Sequence, residues 1–236
     1  MEPGGIKLDW ESLLIELYIF ISNLYDDHLY YHCQRFSNNS EPKFSDEEVL
    51  TMYIFGVINK NFLLKDIYNY TQNHLKNWFP DLPSYTAFVN RINRLNNVFP
   101  IIIENLSEKL LKNHNISKTM LIDSMPIMVA NEKRSDKAKA ANEIADKGYC
   151  SSKGTYYYGI KLHIFSSSNP ENMPLPILFA TSKASEHDIN YFREFSYNFN
   201  DIEIFGDKAY CDKTDRICLE KQNVILYTPI KKKTSY

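Results

Sequence analysis

The spacing of apolar residues in this chain changes near residue 115, and neither an all-helical bundle nor a plain sheet accommodates both halves. From Asp9 to about His32 the apolar side chains fall at Trp10, Leu13, Leu14, Leu17, Tyr18, Ile21, Leu24 and Tyr25, the three-and-four spacing of an amphipathic helix. "SDEEVLTMYIFGVINK" opens with Ser45 and places Glu48 three residues later, a reciprocal cap for the free amides of a helix start. "LLKDIYNYTQNHL" and "PSYTAFVNRINRLNNVF" predict two more helices, the second restarted by Pro83 and Ser84. "PIIIENLSEKLLKN" continues the rhythm to about Asn113.

Beyond that point the runs shorten. "TMLIDSMPIMV", "YYYGIKLHIFSS", "LPILFATS", "IEIFGD" and "VILYTPI" are rich in Val, Ile, Phe and Tyr and bounded by polar or turn residues, which predicts five strands. "HDINYFREFSYNF" and "DKTDRICLEKQN" lie between the later strands and suit helices. The expectation is an α+β or α/β chain: a helical region over 1–115, then a mixed sheet with flanking helices over 116–236.

With 236 residues, 44% of them hydrophobic, the chain has enough apolar surface for a substantial core. Four cysteines without a CxxC pair, and an N-terminus lacking a basic and apolar leader, predict reduced thiols in a cytoplasm. The most apolar early stretch is broken by Glu16, Asp26 and Asp27, so a membrane role is not expected. A net charge of -2 makes the whole molecule no attractor for nucleic acid, and such a partner needs a local basic surface. "NEKRSDKAKAANEIADKGYCSSKG" and the terminal "KKKTSY" are candidates, with solvated loops or a frayed tail as the alternative. Asn90, Arg91, Asn93, Arg94 and Asn97 form a polar helix face that suits either a DNA groove or plain solvent. The connector before that helix is longer than the tight turn of a helix-turn-helix unit.

Two aspartates stand out in the second half. Asp123 interrupts an apolar strand, and Asp207 closes another, between Gly206 and Lys208. If the two strands are neighbours, a strand spacing of about 4.8 Å sets the carboxylates side by side, and a divalent cation relieves their repulsion. Carboxylate oxygens select Mg2+ or Mn2+ over zinc, and paired ions of that kind activate an attacking oxygen at a phosphodiester. Two unrelated aspartates at turns are the alternative.

"LIDSMPI", "ADKGYCSSKGTYYYGIKLHIF", "ATSKASEHD" and "IFGDKAY", in this order, resemble successive motifs of DDE transposases from bacterial insertion sequences. The resemblance covers most of residues 119 to 230, and "FSDEEVLTMYIFGVINK" and "LPSYTAFVNRINRLNNVF" resemble the N-terminal region of such proteins. It implies a ribonuclease-H-like fold whose first and fourth strands are adjacent, with Asp123 and Asp207 as metal-binding catalytic carboxylates. It implies Mg2+ or Mn2+ as cofactor and hydrolysis at the element's ends. Attack of the freed 3'-hydroxyl on target DNA would follow. The implied partners are double-stranded DNA bearing terminal inverted repeats and a second copy on that DNA, in a bacterial cytoplasm.

The family's third carboxylate is a glutamate on a helix after the fifth strand, and this chain ends at Tyr236 before such a helix. The expectation is therefore a C-terminally truncated transposase with little or no strand-transfer activity alone. A non-enzymatic remnant that binds DNA ends is the alternative. Glu220 precedes the fifth strand and is no substitute. Lys161 and His163 alternate on one strand and share a face, suited to a scissile phosphate or to an ordinary polar face. Lys208 suits a DNA phosphate or a salt bridge to Asp207. His187 and Asp188 precede a helix as caps or as support for a metal site. His28 and His32 have a metal-compatible spacing beside Cys33, but no fourth ligand is identifiable.

Overall fold

The computed structural model describes residues 9–33, 42–113, 117–131, 133, 137–138, 141–151, 153–169, 173–196, 199–210, 217 and 219–229. It divides into two compact units, Met1–Leu106 and Ser107–Tyr236.

The first unit is helical. Helix α1 (Trp10–Asp27) is capped by Asp9, whose carboxylate accepts the Ser12 amide at 2.7 Å, and it passes into a 3-10 turn over Leu29–His32. The reciprocal cap expected at Ser45 is present on α2 (Asp46–Ile58). Ser45 Oγ accepts the Glu48 amide at 3.3 Å, and Glu48 Oε2 accepts the Ser45 amide at 2.7 Å. Helix α3 (Leu64–His74) is followed by α4 (Tyr85–Arg94), which starts at Ser84. The sequence predicts one continuous helix from there to Phe99, but α4 stops and α5 (Val98–Asn113) begins after a turn at 95–97. Asn96 Oδ1 takes the Asn97 amide at 2.9 Å, a local bond that competes with helix continuation. Pro100 then falls in the first turn of α5, where its missing N–H removes no helical bond. Leu14, Ile21, Leu50, Phe55, Ile67, Phe88, Ile92 and Leu95 make up much of the core.

The second unit contains a six-stranded sheet: β1 (Thr119–Asn131), β2 (Asp146–Cys150), β3 (Thr155–Ser167), β4 (Leu175–Lys183), β5 (Glu203–Phe205) and β6 (Ile225–Tyr227). Strand β3 pairs antiparallel with β1 on one side, and on the other with β4 and then β2, which extend the same edge in turn. Strand β5 adds to β1 in parallel, and β6 adds to β5 in parallel. Four strands joined antiparallel, β1 to β4, and two more added in parallel, with β1 beside β5, make the mixed ribonuclease-H-like sheet that the motifs implied.

Strand β2 lies where the sequence predicts a basic loop. Asp, Lys and Gly are poor strand formers, so this pairing is set by tertiary contacts. Asp146 accepts the Ser185 amide at 2.8 Å, and Gly148 lies so close to β4's end that a Cβ there would stand 2.4 Å from the Ala184 carbonyl oxygen. The terminal "KKKTSY" and parts of the other basic stretch lie outside the described residues.

Alternation along the strands gives the sheet two unlike faces. Met120, Ile122, Phe165, Ile204 and Leu226 pack on one face under Phe192 of α6 (Asp188–Ser196), together with Tyr210, Leu219 and Val224. The intervening residues Met125, Ile127, Val129, Phe179, Phe205 and Tyr227 are exposed. Among the described residues no helix is long and apolar enough to cross a membrane.

Candidate active site

The register of β1 on β5 organises the site. Thr119 faces Glu203, Met120 faces Ile204 and Leu121 faces Phe205, and two steps further along both chains come Asp123 and Asp207. Paired parallel strands lie about 4.8 Å apart, so Asp123 and Asp207 follow the last paired residues at the same end of β5. The contact is maintained between the last pairing and the aspartates, because a Cβ on Gly206 would stand 2.8 Å from Ile122 Cγ2 and 3.0 Å from Tyr210 Cδ2. Any side chain at 206 would push these two strands apart just before Asp123 and Asp207.

Strand β5 is shorter than the sequence predicts. It ends at Phe205, and Asp207 starts a 3-10 turn over Lys208–Tyr210, its Oδ1 accepting the Ala209 amide at 2.6 Å. Asp123 remains within β1, but β5 has ended beside it, so its carboxylate is exposed and carries no burial penalty of the kind expected inside an apolar strand. Its Oδ1 accepts the Ser124 amide at 2.8 Å. Each carboxylate thus spends Oδ1 on a backbone amide that fixes its orientation. Two oriented carboxylates are donors of the kind that a hard divalent cation takes. Among the described residues there is no group of three or more His, Cys, Asp or Glu placed to hold a metal. Glu220 is exposed, and His28 bonds Asp27 at 3.0 Å.

Beneath this rim lies Tyr210, 1% exposed, which the sequence reading did not single out. Its only signal was an aromatic residue closing "GDKAY". Burial raises the phenol pKa, the charges of Asp188, Asp123 and Asp207 push it the same way, and Ser124 opposes them.

The other candidates separate into two groups. Lys161 and His163 do share a face, and that face is turned onto α6. Lys161 Nζ contacts Asp188 Oδ1 at 2.9 Å and donates to the Glu186 carbonyl at 2.6 Å. His163 is 1% exposed, bonds Ser182 Oγ through Nε2 at 2.8 Å and stacks on Tyr191 at 4.5 Å between centroids. Burial holds its pKa below the ordinary imidazole value, partly offset by Asp188. Asp188 therefore acts as Lys161's partner in the first turn of α6, next to exposed His187.

Arg91 does not stand on the solvent side of α4 as expected. Its guanidinium forms a two-pronged ion pair with Asp46 and donates to the Cys33 carbonyl at 2.7 Å, which commits it inside the helical unit. The helical periodicity places it among polar residues, but Asp46 at the start of α2 draws it inward. Arg94 and Lys208 are exposed.

Solved transposase structures are among those similar to this chain. The piggyBac transposase in a synaptic complex with hairpin DNA is 12% identical, with a TM-score of 0.47 over 94% of this chain and 48% of that one. This chain thus spans about half of that transposase's length. The Mos1 transposase in a paired-end complex with the left transposon end is 11% identical, with a TM-score of 0.28 over 93% of this chain and 77% of that one. A pre-cleavage Mos1 transpososome is 12% identical, with a TM-score of 0.26 over 95% and 69% of the two chains. No curated protein matches the sequence. The family model described as "Transposase DDE domain" matches residues 113–235, more than half of the chain and a span that includes both aspartates. The chain belongs to the DDE transposase family.

Proposed function

We propose that this protein serves transposition of a bacterial insertion sequence, cutting DNA at the element's ends and joining them to a target with the help of a divalent cation held by Asp123 and Asp207. The observation that carries the reading is the approach of these two aspartates along β1 and β5, inside the span matched by the family. When bound, the cation, Mg2+ or Mn2+, supplies Lewis-acid stabilisation of charge at the phosphodiester. The protein's own contribution is orientation. The Ser124 and Ala209 amides fix the two carboxylates, and the close packing at Gly206 fixes their separation.

In this reading residues 116–236 carry the chemistry, and the helical residues 1–115 help to hold double-stranded DNA at terminal inverted repeats. Exposed Arg94 and Lys208 are the cations we assign to DNA phosphates. Lys161, His163 and Asp188 support the site by seating α6, and Arg91 supports the helical unit. Two copies on the paired ends are the working assembly, acting on DNA in the cytoplasm.

A second reading, a protein that binds the ends without cutting them, is favoured by one observation: no three-ligand group occurs among the described residues. The two are separated by incubating the purified chain with duplex DNA carrying the inverted repeats that flank its own gene, in Mg2+. Cleavage that disappears in Asp123→Ala supports the enzyme. Specific end binding without cleavage supports the second reading. Neither binding nor cleavage contradicts both.

A further inference from the structure

The basic stretch around Lys147 suits either a nucleic-acid surface or a solvated loop on sequence alone, and the structure draws it into β2. We propose that the edge formed by β4 and β2 binds an unpaired stretch of DNA, through Phe179, Lys183, Tyr149 and Tyr156 on the face that carries Asp123. The choice of DNA rests on the transposition reading above, and the choice of an unpaired strand rests on the side chains themselves.

Strand β4 ends and β2 begins on the same side of β3, with Lys183 opposite Ile160 and Lys147 opposite Tyr158. Side chains alternate along a strand, so Phe179, Thr181, Lys183, Lys147 and Tyr149 fall in one row on one face. Tyr156 joins them from β3 as the direct partner of Tyr149. Asp123 belongs to the same face, because it pairs with Ile164, which pairs in turn with Phe179. The other face, with Lys161, His163 and Ser182, is the one turned onto α6. The row therefore starts across β3 from Asp123 and ends at the tyrosines, from Ile164 to Tyr156 a rise of roughly 27 Å.

Phe179, Tyr149 and Tyr156 are 42%, 53% and 51% exposed. The two tyrosine rings meet at 4.9 Å between centroids, and Lys147 Nζ stands 5.3 Å from the Tyr156 centroid, a cation contact that holds the ring in place. Lys183 is exposed, as is Lys153 in the turn that joins β2 to β3. Asp146, the one acid of β2, lies on the opposite face, where it accepts the Ser185 amide and hydroxyl. The row thus sets cations among flat aromatic surfaces with no carboxylate between them. That combination takes up single strands, phosphates going to the lysines and unpaired bases stacking on the rings, whereas an intact duplex hides its base faces. A cross-strand tyrosine pair would by itself steady β2, but that role asks nothing of Phe179 or Lys183 on the same row. Strand cleavage beside Asp123 would free a single strand where the row begins.

The test is binding of a fluorescein-labelled oligothymidine of about ten nucleotides to the full chain, followed by anisotropy in metal-free buffer, with unlabelled blunt duplex of the same length as competitor. Wild type is compared with Tyr149→Leu, Tyr156→Leu, Tyr156→Phe and Lys183→Ala, each accompanied by a thermal melt. Either leucine keeps apolar bulk but loses the flat ring, and is expected to weaken binding roughly tenfold, while Tyr156→Phe binds as wild type does. Lys183→Ala is expected to lower the slope of log affinity against log salt by about 0.7, the share of one phosphate on a single strand. If a leucine variant melts well below wild type, the salt slope of Lys183→Ala decides in its place. Wild type that does not bind the oligomer, leucine variants that fold as wild type does and bind within about twofold of it, or an unchanged salt slope would each overturn the inference. So would a duplex that competes as well as the unpaired strand, or a loss that Tyr156→Phe shares. None of these outcomes bears on cutting of duplex ends in Mg2+, which tests the transposition reading by itself.

Discussion

The helical unit and the sheet unit treat their carboxylates in opposite ways. Asp46 is 5% exposed and is neutralised by Arg91, which reaches it from a helix 45 residues away in sequence. Asp123 and Asp207 lie on one rim, two like charges with no basic partner among the described residues. One aspartate is buried and draws an arginine inward, whereas the other two are exposed and each held by a single backbone amide. The difference is between a carboxylate that the fold depends on and a pair that, in the function proposed above, is kept for a cation.

The contrast is tested most severely at Arg91. Arg91→Ala strands Asp46 in the helical core, and the expected loss of stability is about 3–5 kcal/mol, read from urea denaturation. A loss under about 1 kcal/mol would show that Asp46 is not dependent on its partner and would remove one side of the contrast. The next largest effect is expected at Gly206→Ala. The added Cβ meets Ile122 and Tyr210 at 2.8 and 3.0 Å, and overpacking of this kind costs about 1–3 kcal/mol. If the rim is set by this packing, the variant also weakens Mn2+ binding. Unchanged binding would detach the carboxylate pair from the glycine.

His163 supplies a smaller effect and a third kind of case, a buried polar group held by Ser182 and Tyr191 rather than by a charge. Its folded pKa is held below the ordinary value, so as pH falls through about 6.5 the unfolded chain takes up a proton before the folded one does. Stability present above that pH is lost below it. His163→Gln should flatten the denaturant midpoint between pH 7 and pH 5, and an unchanged pH slope would count against the buried neutral ring. The smallest effect is the metal-free consequence of Asp123→Asn. Removing one of two neighbouring like charges should raise the melting temperature slightly, and a clear fall would mean that Asp123 has a structural role after all.

Several features of this architecture were legible in the sequence because they are local. Ser45 and Glu48 announced their cap, and the change from helical to alternating spacing announced the sheet. The adjacency of β1 and β5 was implied by the resemblance to DDE transposases, and their register sets Asp123 and Asp207 each two residues beyond the last pair. Strand β2 was invisible, since Asp146, Lys147 and Gly148 extend only by pairing with β3 and contacting Ser185 and Ala184. Arg91 and Lys161 show the same limit. Periodicity places a cation on a polar face, but not the distant aspartate, Asp46 or Asp188, that claims it. Tyr210 was missed because a tyrosine closing a turn gives no local sign of the close approach to Gly206 that packs it beneath Asp207.

The central claim, that Asp123 and Asp207 together form a cation site, is tested most directly by the change in melting temperature when Mg2+ or Mn2+ is added to wild type, Asp123→Asn and Asp207→Asn. Ligands that bind only the folded state stabilise it by RT ln(1 + [L]/Kd) and so raise the melting temperature as their concentration exceeds Kd. The account predicts a rise in wild type that is lost in both variants. An equal rise in all three proteins, or no rise in wild type at saturating cation, would contradict it.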